Sequence, residues 1–443
     1  MVLWGIKIVW GYILSIARIC AVLIIALFLP KIFLVRLHSA PGAFVAQNPS
    51  SFRLGIESLS DQFLKGLTSK GDLSYKVGLV TNQSGKDQCG KRTLDILFQH
   101  GLNVVSLFAP EHGMDGDIAM MRDVQDSKDK KSNLKIISMY GNGSPKRFDQ
   151  KFLTNIDVLF FDMQDSGMRH YTFITTMFEM LEAASKYNKV AVVLDRPNLL
   201  GPYMEGPIVD DGLKSAISYA SIPVRYGMTV GELAFYFNKK ILKKPAKLHV
   251  VPMQQYDRLS YGARGLITRL SPNITNINSC YGYSFLGLLG EVRPFDVGVG
   301  TNKAFQCILL PEYLKFTKKK WHELYVLFQK QGVESSFYRY YSVRKKYYCS
   351  GLRLHIPDIN SFSSFSTFLM VLQFFRKEGV ALTFSPAFDK AIGSKRVRLF
   401  LQGELSKDLL VSYVNENLKL FFRRASEADC FLYRPFPKVV NLS

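Results

Sequence analysis

Residues 157–198, DVLFFDMQDSGMRHYTFITTMFEMLEAASKYNKVAVVLDRPN, decide how this chain folds. Asp157 to Phe161 reads as a strand whose Val-Leu-Phe-Phe run is apolar on both faces, as a strand covered on both sides must be. It ends in Asp162-Met163-Gln164-Asp165. A helix from Thr172 to Tyr187 follows, with Phe173, Met177, Met180, Leu181 and Ala184 spaced for burial, and a second apolar run, Val190 to Leu194, ends in Asp195-Arg196-Pro197-Asn198. Strand, helix and strand in this order form a right-handed β-α-β unit of a mainly parallel sheet.

Upstream the same alternation continues. Lys76 to Val80 is a buried β-run ending in Thr81-Asn82-Gln83-Ser84-Gly85, and Lys91 to His100 is a helix with Leu94, Leu97 and Phe98 on one face. Val104 to Ala109 is the next strand, ending in Pro110-Glu111-His112-Gly113, and Leu134 to Met139 is another. In an open parallel sheet ligands bind beyond the carboxyl ends of the strands, where loops converge and helix N-termini point at the site. Four of these ends carry polar clusters: Thr81-Asn82, Glu111-His112, Asp162/Gln164/Asp165 and Asp195-Arg196. Any one such Asp or Asn is equally well a helix cap or turn residue. Four on one edge point to a site.

Paired carboxyl groups in a cleft suit glycoside hydrolysis, in which one protonates the leaving oxygen and the other attacks, activates water or stabilises the cationic sugar. Proximity also drives their pKa values apart, which separates acid from base. A metal site built on His112 and the aspartates is disfavoured, since the chain has only 7 His and no His pair at ligand spacing. Gly141-Asn142-Gly143 lacks the third glycine of a dinucleotide fingerprint and is followed by Pro145, so it reads as a turn. No Walker A sequence and no G-x-S-x-G elbow occurs, which leaves kinase, dehydrogenase and serine-hydrolase readings without support. Glu232 belongs to a capping box, Thr229-x-x-Glu232, that opens a helix.

The chain has 443 residues, 47% hydrophobic and 21% charged, the balance of a globular protein with two or three domains. Lys+Arg 57 against Asp+Glu 36 gives a net charge of +21, which raises nucleic acid, an anionic membrane surface or an acidic polymer as partner. The six cysteines are scattered without C-x-x-C pairs, against a zinc module or a dense disulfide framework, with one or two long-range disulfides left open. Val2 to Val35 is almost entirely apolar. It reads as a membrane anchor over Ile8 to Leu29, with Arg18 snorkelling, as a signal peptide with small residues Ser39, Ala40 and Ala43 for cleavage, or as a buried N-terminal helix. On the first two readings the body of the protein lies outside the cytoplasmic membrane, in the periplasm or cell envelope. The expected organisation is therefore a hydrophobic segment over 1–37 and a linker over 38–54, followed from residue 55 by an α/β domain.

The ordered motifs Gly78-Leu79-Val80-Thr81-Asn82, Ala109-Pro110-Glu111-His112-Gly113, Phe161 to Thr172, Val193 to Asn198 and Met204-Glu205-Gly206-Pro207 resemble the bacterial exo-β-N-acetylmuramidase (NamZ-type) family of cell-wall turnover. The resemblance continues through Ile222 to Ala234, Ser271-Pro272-Asn273-Ile274, Val297 to Thr301 and Phe388 to Gly393, about residues 55 to 440 in all. It implies a Rossmann-like catalytic domain over 55–250, without nucleotide or other cofactor, joined to a smaller C-terminal α/β domain over 251–443 that closes a cleft. It implies an exo-acting hydrolase releasing N-acetylmuramic acid from the non-reducing end of peptidoglycan-derived muropeptides or disaccharides. On that footing Glu111 is the general acid, with His112 holding it or contacting substrate, and Asp162 or Asp165 is the second carboxylate or orients the 2-acetamido group. Arg169 or Arg196 would pair with the lactyl carboxylate, or else serve as a structural partner of the aspartates. Asn82, Gln164, Tyr171, Asp195, Glu205, Arg225 and Glu291 complete the expected substrate-binding set, Glu205 being equally readable as a turn residue.

The chain departs from the family pattern at Tyr226, usually His, at Val299, usually Arg, at Asp115, where a basic residue is common, and in the rebuilt loop Glu291-Val292-Arg293-Pro294. Three functions from different classes follow: an active muramidase, a degenerate peptidoglycan binder, and a charge-driven binder of nucleic acid or an anionic surface. The last rests on Lys318-Lys319-Lys320 and on Arg339, Arg344, Lys345 and Lys346 interleaved with Tyr338, Tyr340, Tyr341, Tyr347 and Tyr348. It ranks below the others, and no nucleic-acid partner is expected, because such tyrosines more often pack a strand face.

Overall fold

The computed structural model describes residues 52–119, 122–260, 268–343 and 345–443. The N-terminal apolar segment, most of the linker and Arg344 lie outside these residues. None of the described helices is long and apolar enough to cross a membrane.

The apolar runs become the centre of a seven-stranded sheet. Its strands are β1 (Lys76–Thr81), β2 (Asn103–Ala109), β3 (Ser127–Lys128), β4 (Lys135–Ser138), β5 (Val158–Asp162), β6 (Val190–Leu194) and β7 (Lys247–Val251). They lie in the order β7-β6-β5-β1-β2-β4-β3. All neighbours are parallel except the short β3, which runs antiparallel to β4. Every residue of β5 and β6 is buried, as a strand covered on both faces requires. Gly78 of β1 has a steric reason: a Cβ there would sit 2.8 Å from Ile156 Cδ1 and 2.9 Å from Phe108 Cε2.

Three helices cover this sheet: α1 (Thr93–Gln99), α2 (Phe173–Lys186) and α3 (Val230–Tyr236). α2 packs on β5, β6 and β7 and buries Phe173, Met177, Met180, Leu181 and Ala184, the stripe its spacing foretold. α3 opens on the expected capping box: Glu232 N donates to Thr229 Oγ1 (3.2 Å) and Thr229 N to Glu232 Oε2 (2.9 Å). Gly141-Asn142-Gly143 is the turn of a small hairpin pairing Tyr140–Gly141 with Ser144–Pro145, Asn142 and Gly143 both at positive φ (53° and 69°).

The chain grows from β1 outward through β2 to β4, then crosses to the other side of β1 to add β5, β6 and β7. The reversal lies between β1 and β5. In sheets of this kind the loops leaving the strands on either side of the reversal diverge, and the crevice between them is the usual place for a ligand.

The second domain contains α4 (Ile277–Leu289), a three-stranded antiparallel sheet of β8 (Cys307–Pro311), β9 (Glu334–Ser342) and β10 (Tyr347–His355), and the helices α5 (Lys318–Lys330), α6 (Ser364–Lys377) and α7 (Lys407–Glu427). β10 is the middle strand, so β9 is an edge. The chain then returns: Lys438–Val439 pairs with Tyr203–Glu205, which also pairs with Arg225–Tyr226. The five described cysteines, Cys89, Cys280, Cys307, Cys349 and Cys430, are all free thiols.

Candidate active site

Parallel register brings the four polar strand ends to one edge, with Thr81 of β1 beside Asp162 of β5 and Phe161 of β5 beside Val193 of β6. The side chains there fall into two groups. One is consumed by the fold, and the other is left facing the crevice.

Asp162 belongs to the first. It is fully buried and accepts from the Arg196 guanidinium on both oxygens, Nη2 lying 2.9 Å from Oδ2, and from the Thr93 hydroxyl at the start of α1. Arg196 Nη2 also donates to Lys86 O (2.8 Å). This ion pair ties β5, β6 and the β1–α1 loop together, so Asp162 is a structural anion where a second catalytic carboxylate was expected, and Arg196 is its partner rather than a receptor for a substrate carboxylate.

Arg169 is likewise committed. Its five N–H bonds go to Pro207 O and Ile222 O (2.7 Å each), Ala391 O (3.0 Å), Ile392 O (2.6 Å) and Ser218 Oγ (3.2 Å). Burial pushes it down to about 9, against the opposing effect of the Tyr413 and Asp210 charges. It staples distant segments and has no donor to spare for a lactyl group. Glu205 and Arg225 form a buried pair (2.6 Å), Glu205 also accepting from Phe365 N (2.8 Å) and Arg225 donating to Phe362 O (3.0 Å). Both therefore hold α6 and its approach to the first domain. Asp195 accepts from Arg196 N, Gly231 N, Thr229 Oγ1 and Tyr433 OH (2.9, 2.7, 2.8 and 2.6 Å), and burial raises it to about 7. Gly231 lets the α3 N-terminus come so close, since a Cβ would lie 2.7 Å from Asp195 Cγ. Gln164 Nε2 is spent on Asp165 O (2.9 Å) and Pro197 O (2.7 Å).

The second group centres on the turn after β2. Glu111 is 6% exposed and accepts from Thr172 Oγ1 (2.7 Å) at the start of α2. The Tyr140 phenol lies alongside, raised by burial and then by the Glu111 charge. His112 adopts φ 71°, a conformation uncommon outside glycine, and Gly113 follows at 76°. The His112 Nδ1 stands 2.7 Å from Ile118 O, and a carbonyl can only accept, so Nδ1 carries a proton and donates it there. A cavity of about 520 Å³ opens beside this turn, lined by Gly113, Met114, Ile118 and Val124 together with Asp115, Asp117, Lys128 and Lys130.

Beyond β5, Asp165 is 2% exposed; Oδ1 accepts from Gly167 N (2.8 Å) and the Tyr226 hydroxyl, while Oδ2 has no partner. Burial raises Asp165 to about 7 against the lowering effect of those bonds. Asn82 accepts from Ser84 N (2.9 Å) and Ser84 Oγ (2.6 Å), leaving Nδ2 unpartnered. Both ring nitrogens of the buried His170 are unpartnered too, and burial, followed by the neighbouring Arg169 charge, lowers it to about 3, so it is neutral. Buried polar atoms without partners are rare in native proteins. Those of Asn82, Asp165 and His170 belong to the loops that follow β1 and β5.

Side chains of the second domain pack against these residues. Tyr283 of α4 packs on His170 (4.8 Å between centroids), Tyr171 (5.9 Å) and Phe305 (4.8 Å), and Tyr171 OH donates to Leu270 O (2.9 Å). The charges of Glu111, Asp165 and Glu291 all act on the Tyr283 phenol, raising it behind the larger effect of burial. Glu291, just after α4, accepts from the Ser385 hydroxyl. Sequence reasoning gives no site role to Tyr140, Thr172, His170 or Tyr283. Tyr140 follows the β4 run, so the strand-edge rule applied to β4 would have found it. Tyr283 sits in an apolar helix with no local signal.

One pH effect follows. An Asp165 pKa of about 7 in the folded state lies above the usual 3.8. The folded protein therefore binds more protons than the unfolded chain between these values, and stability declines as pH rises through that window. Asp165→Asn is expected to flatten this part of the profile, read as urea midpoints across pH; an unchanged slope would show that Asp165 is ionised throughout.

The Exo-beta-N-acetylmuramidase NamZ, N-terminal family model matches residues 77–278, and its C-terminal counterpart matches residues 281–433. The chain is 32% identical over 377 residues to a peptidoglycan β-N-acetylmuramidase, NamZ, of Bacillus subtilis (strain 168), covering 83% of this chain and 88% of that protein. Among solved structures, a DUF1343 family protein from Bacteroides fragilis superimposes with a TM-score of 0.74 at 31% identity, covering 86% of this chain and 99% of that one. A second protein of that family from the same organism superimposes with a TM-score of 0.65 at 23% identity, over 86% and 98% of the two chains, and supports the fold alone.

Proposed function

The chain belongs to the NamZ family of exo-β-N-acetylmuramidases, which are glycoside hydrolases, and from that premise we propose that the Glu111 crevice removes N-acetylmuramic acid from the non-reducing end of peptidoglycan fragments. The observation that supports this site most is Glu111 itself, held by the Thr172 hydroxyl beside unpartnered polar atoms of Asp165, Asn82 and His170.

Glu111 acts as the acid. Its carboxyl group gives a proton to the glycosidic oxygen as the bond from that oxygen to C1 breaks, and the leaving sugar departs as an alcohol. The positive charge developing on the ring is met by Asp165, whose Oδ2 lacks a partner of its own. Water bonds to C1 and passes its proton to the Glu111 carboxylate, which restores the acid. Thr172 and Tyr140 fix the Glu111 carboxyl, while Ile118 O fixes the His112 ring with Nε2 available to a sugar hydroxyl. With Arg169, Arg196 and Arg225 engaged inside the protein, substrate recognition falls to His170, Asn82 Nδ2 and the Tyr171/Tyr283 wall.

Export is part of the same proposal, because the substrate lies in the cell wall. Residues 1–37 would supply it as a cleaved signal or a retained anchor.

The test is hydrolysis of a chromogenic β-N-acetylmuramide beside the matching glucosaminide, which lacks the lactyl ether. Release from the muramide alone is expected. A protein that binds the muramide calorimetrically but releases no chromophore is a binder and not an enzyme. His170→Phe keeps the ring packing on Tyr283 but removes both nitrogens, so KM for the muramide is expected to rise about tenfold with kcat little changed. Unchanged KM would take His170 out of the site.

A further inference from the structure

The basic, tyrosine-rich hairpin singled out in the sequence takes no part in the crevice. Six of the eleven large apolar side chains that stand exposed among the described residues lie between positions 313 and 348: Tyr313 (63%), Leu314, Phe337, Tyr341, Val343 (81%) and Tyr348. Phe337 lies midway along β9, and the other five collect around the end of the β9–β10 hairpin and the 313–314 segment beside it. Its turn is closed by Lys345 N and Lys346 N, both donating to Ser342 O (3.1 and 2.7 Å). Tyr341 pairs across the strands with Tyr348, and Ser342 with Tyr347. Successive residues of a strand point to opposite faces, so Tyr347 and Tyr348 put rings on both sides of the tip. Tyr313 packs on Tyr347 (5.4 Å between centroids), which joins the 313–315 segment to the same end.

The charge balance there is one-sided. Glu312 is taken by Arg339 (Nε to Oε1 2.7 Å) and Asp296 by Lys345 (2.7 Å). Lys315, Lys318, Lys319 and Lys346 remain as exposed cations. Lys318 and Lys319 stand in the first turn of α5, where the helix dipole disfavours positive charge, so helix stability does not explain them.

We propose that this hairpin tip, with the Tyr313–Lys315 segment beside it, docks on an anionic phospholipid bilayer. An apolar tip, amphipathic rings that sit at headgroup depth and a surplus of lysines around them match such a surface in both chemistry and charge. A glycan or single-stranded nucleic acid needs open ring faces on which to stack. Here the Tyr341 and Tyr348 rings meet at 65°, Arg339 covers the Tyr348 face at 3.8 Å, and Tyr313 meets Tyr347 at 85°. The parallel pair, Tyr338 and Tyr340, packs against Cys307, Leu309 and Cys349, with Tyr340 OH bonded to Asp296 (2.9 Å). Rings set edge to face and partly covered suit insertion between headgroups better than stacking.

The full chain is sedimented with phosphatidylcholine vesicles, with and without phosphatidylglycerol. Wild type is expected to prefer the anionic vesicles, with the preference lost at high salt. In Val343→Asp/Lys346→Glu, affinity for the anionic vesicles is expected to fall about tenfold or more, with the melting temperature and muramide hydrolysis in solution unchanged. Residues 1–51 are identical in both proteins, so their contribution cancels. A second variant, Lys407→Glu/Lys419→Glu on α7, removes the same charge or more and is expected to keep the preference. The proposal is overturned if wild type binds both vesicles equally, if the tip variant binds anionic vesicles like wild type, or if the α7 variant loses as much. Loss of binding to insoluble peptidoglycan or to an oligonucleotide, with vesicle binding retained, would assign the tip to that polymer instead.

Discussion

Asp162→Ala is expected to cost about 3–5 kcal/mol of folding stability, because it leaves the Arg196 guanidinium buried without its counter-charge. It also strands the Thr93 hydroxyl that donates to the lost carboxylate. Urea denaturation reads the loss. Replacing both partners, as Asp162→Leu with Arg196→Met, is expected to recover much of it, since a buried pair exchanged for apolar residues of similar volume is often close to neutral. Molecules of Asp162→Ala that remain folded at low temperature are expected to keep kcat within about threefold of wild type. A variant that is stable but inactive would instead make Asp162 a catalytic carboxylate.

Glu111→Gln should do the reverse. The amide is nearly isosteric and still accepts from Thr172 Oγ1, so the fold loses little. It has no proton to give the leaving oxygen, and general acid catalysis is worth about 10²–10⁴ in rate, so kcat is expected to fall by that factor while the muramide still binds. The effect should be smallest for substrates with acidic leaving groups, which need least protonation. An equal loss for all leaving groups, with KM rising in step, would mean that Glu111 binds substrate and does not protonate it.

These two acids show what a sequence can and cannot carry. β5 and β6 were legible because a strand covered on both faces must be apolar throughout. β7, Lys-Leu-His-Val-Val, went unread because an edge strand with half-exposed positions tolerates Lys247 and His249. The strand-edge rule placed Glu111, Asp162, Asp165 and Asp195 on one side of the sheet, and there they are. It could not separate Asp162 from Asp165, three residues apart, because the partners that decide their fates, Thr93, Arg196 and Tyr226, come from elsewhere in the chain. Arg169 was harder still. Four of its five acceptors are backbone carbonyls, from positions 207, 222, 391 and 392, and carbonyls leave no mark in a sequence. His170 gave no signal because what distinguishes it is two nitrogens left without partners.

The net charge of +21 first suggested a polyanionic partner. Much of the arginine at the crevice is internal, bonded to carboxylates and carbonyls that hold the two domains together. The surplus lysines at the end of the β9–β10 hairpin belong to a different surface.

The most direct test of the central claim is to digest two peptidoglycan fragments with the full chain and identify the released sugar by mass spectrometry. One fragment ends in N-acetylmuramic acid at its non-reducing end, and the other is capped there by N-acetylglucosamine. Free N-acetylmuramic acid from the first and nothing from the second is the result expected of an exo-muramidase working at the Glu111 crevice. Disaccharides released from within either fragment, or no sugar released from the first, would contradict it.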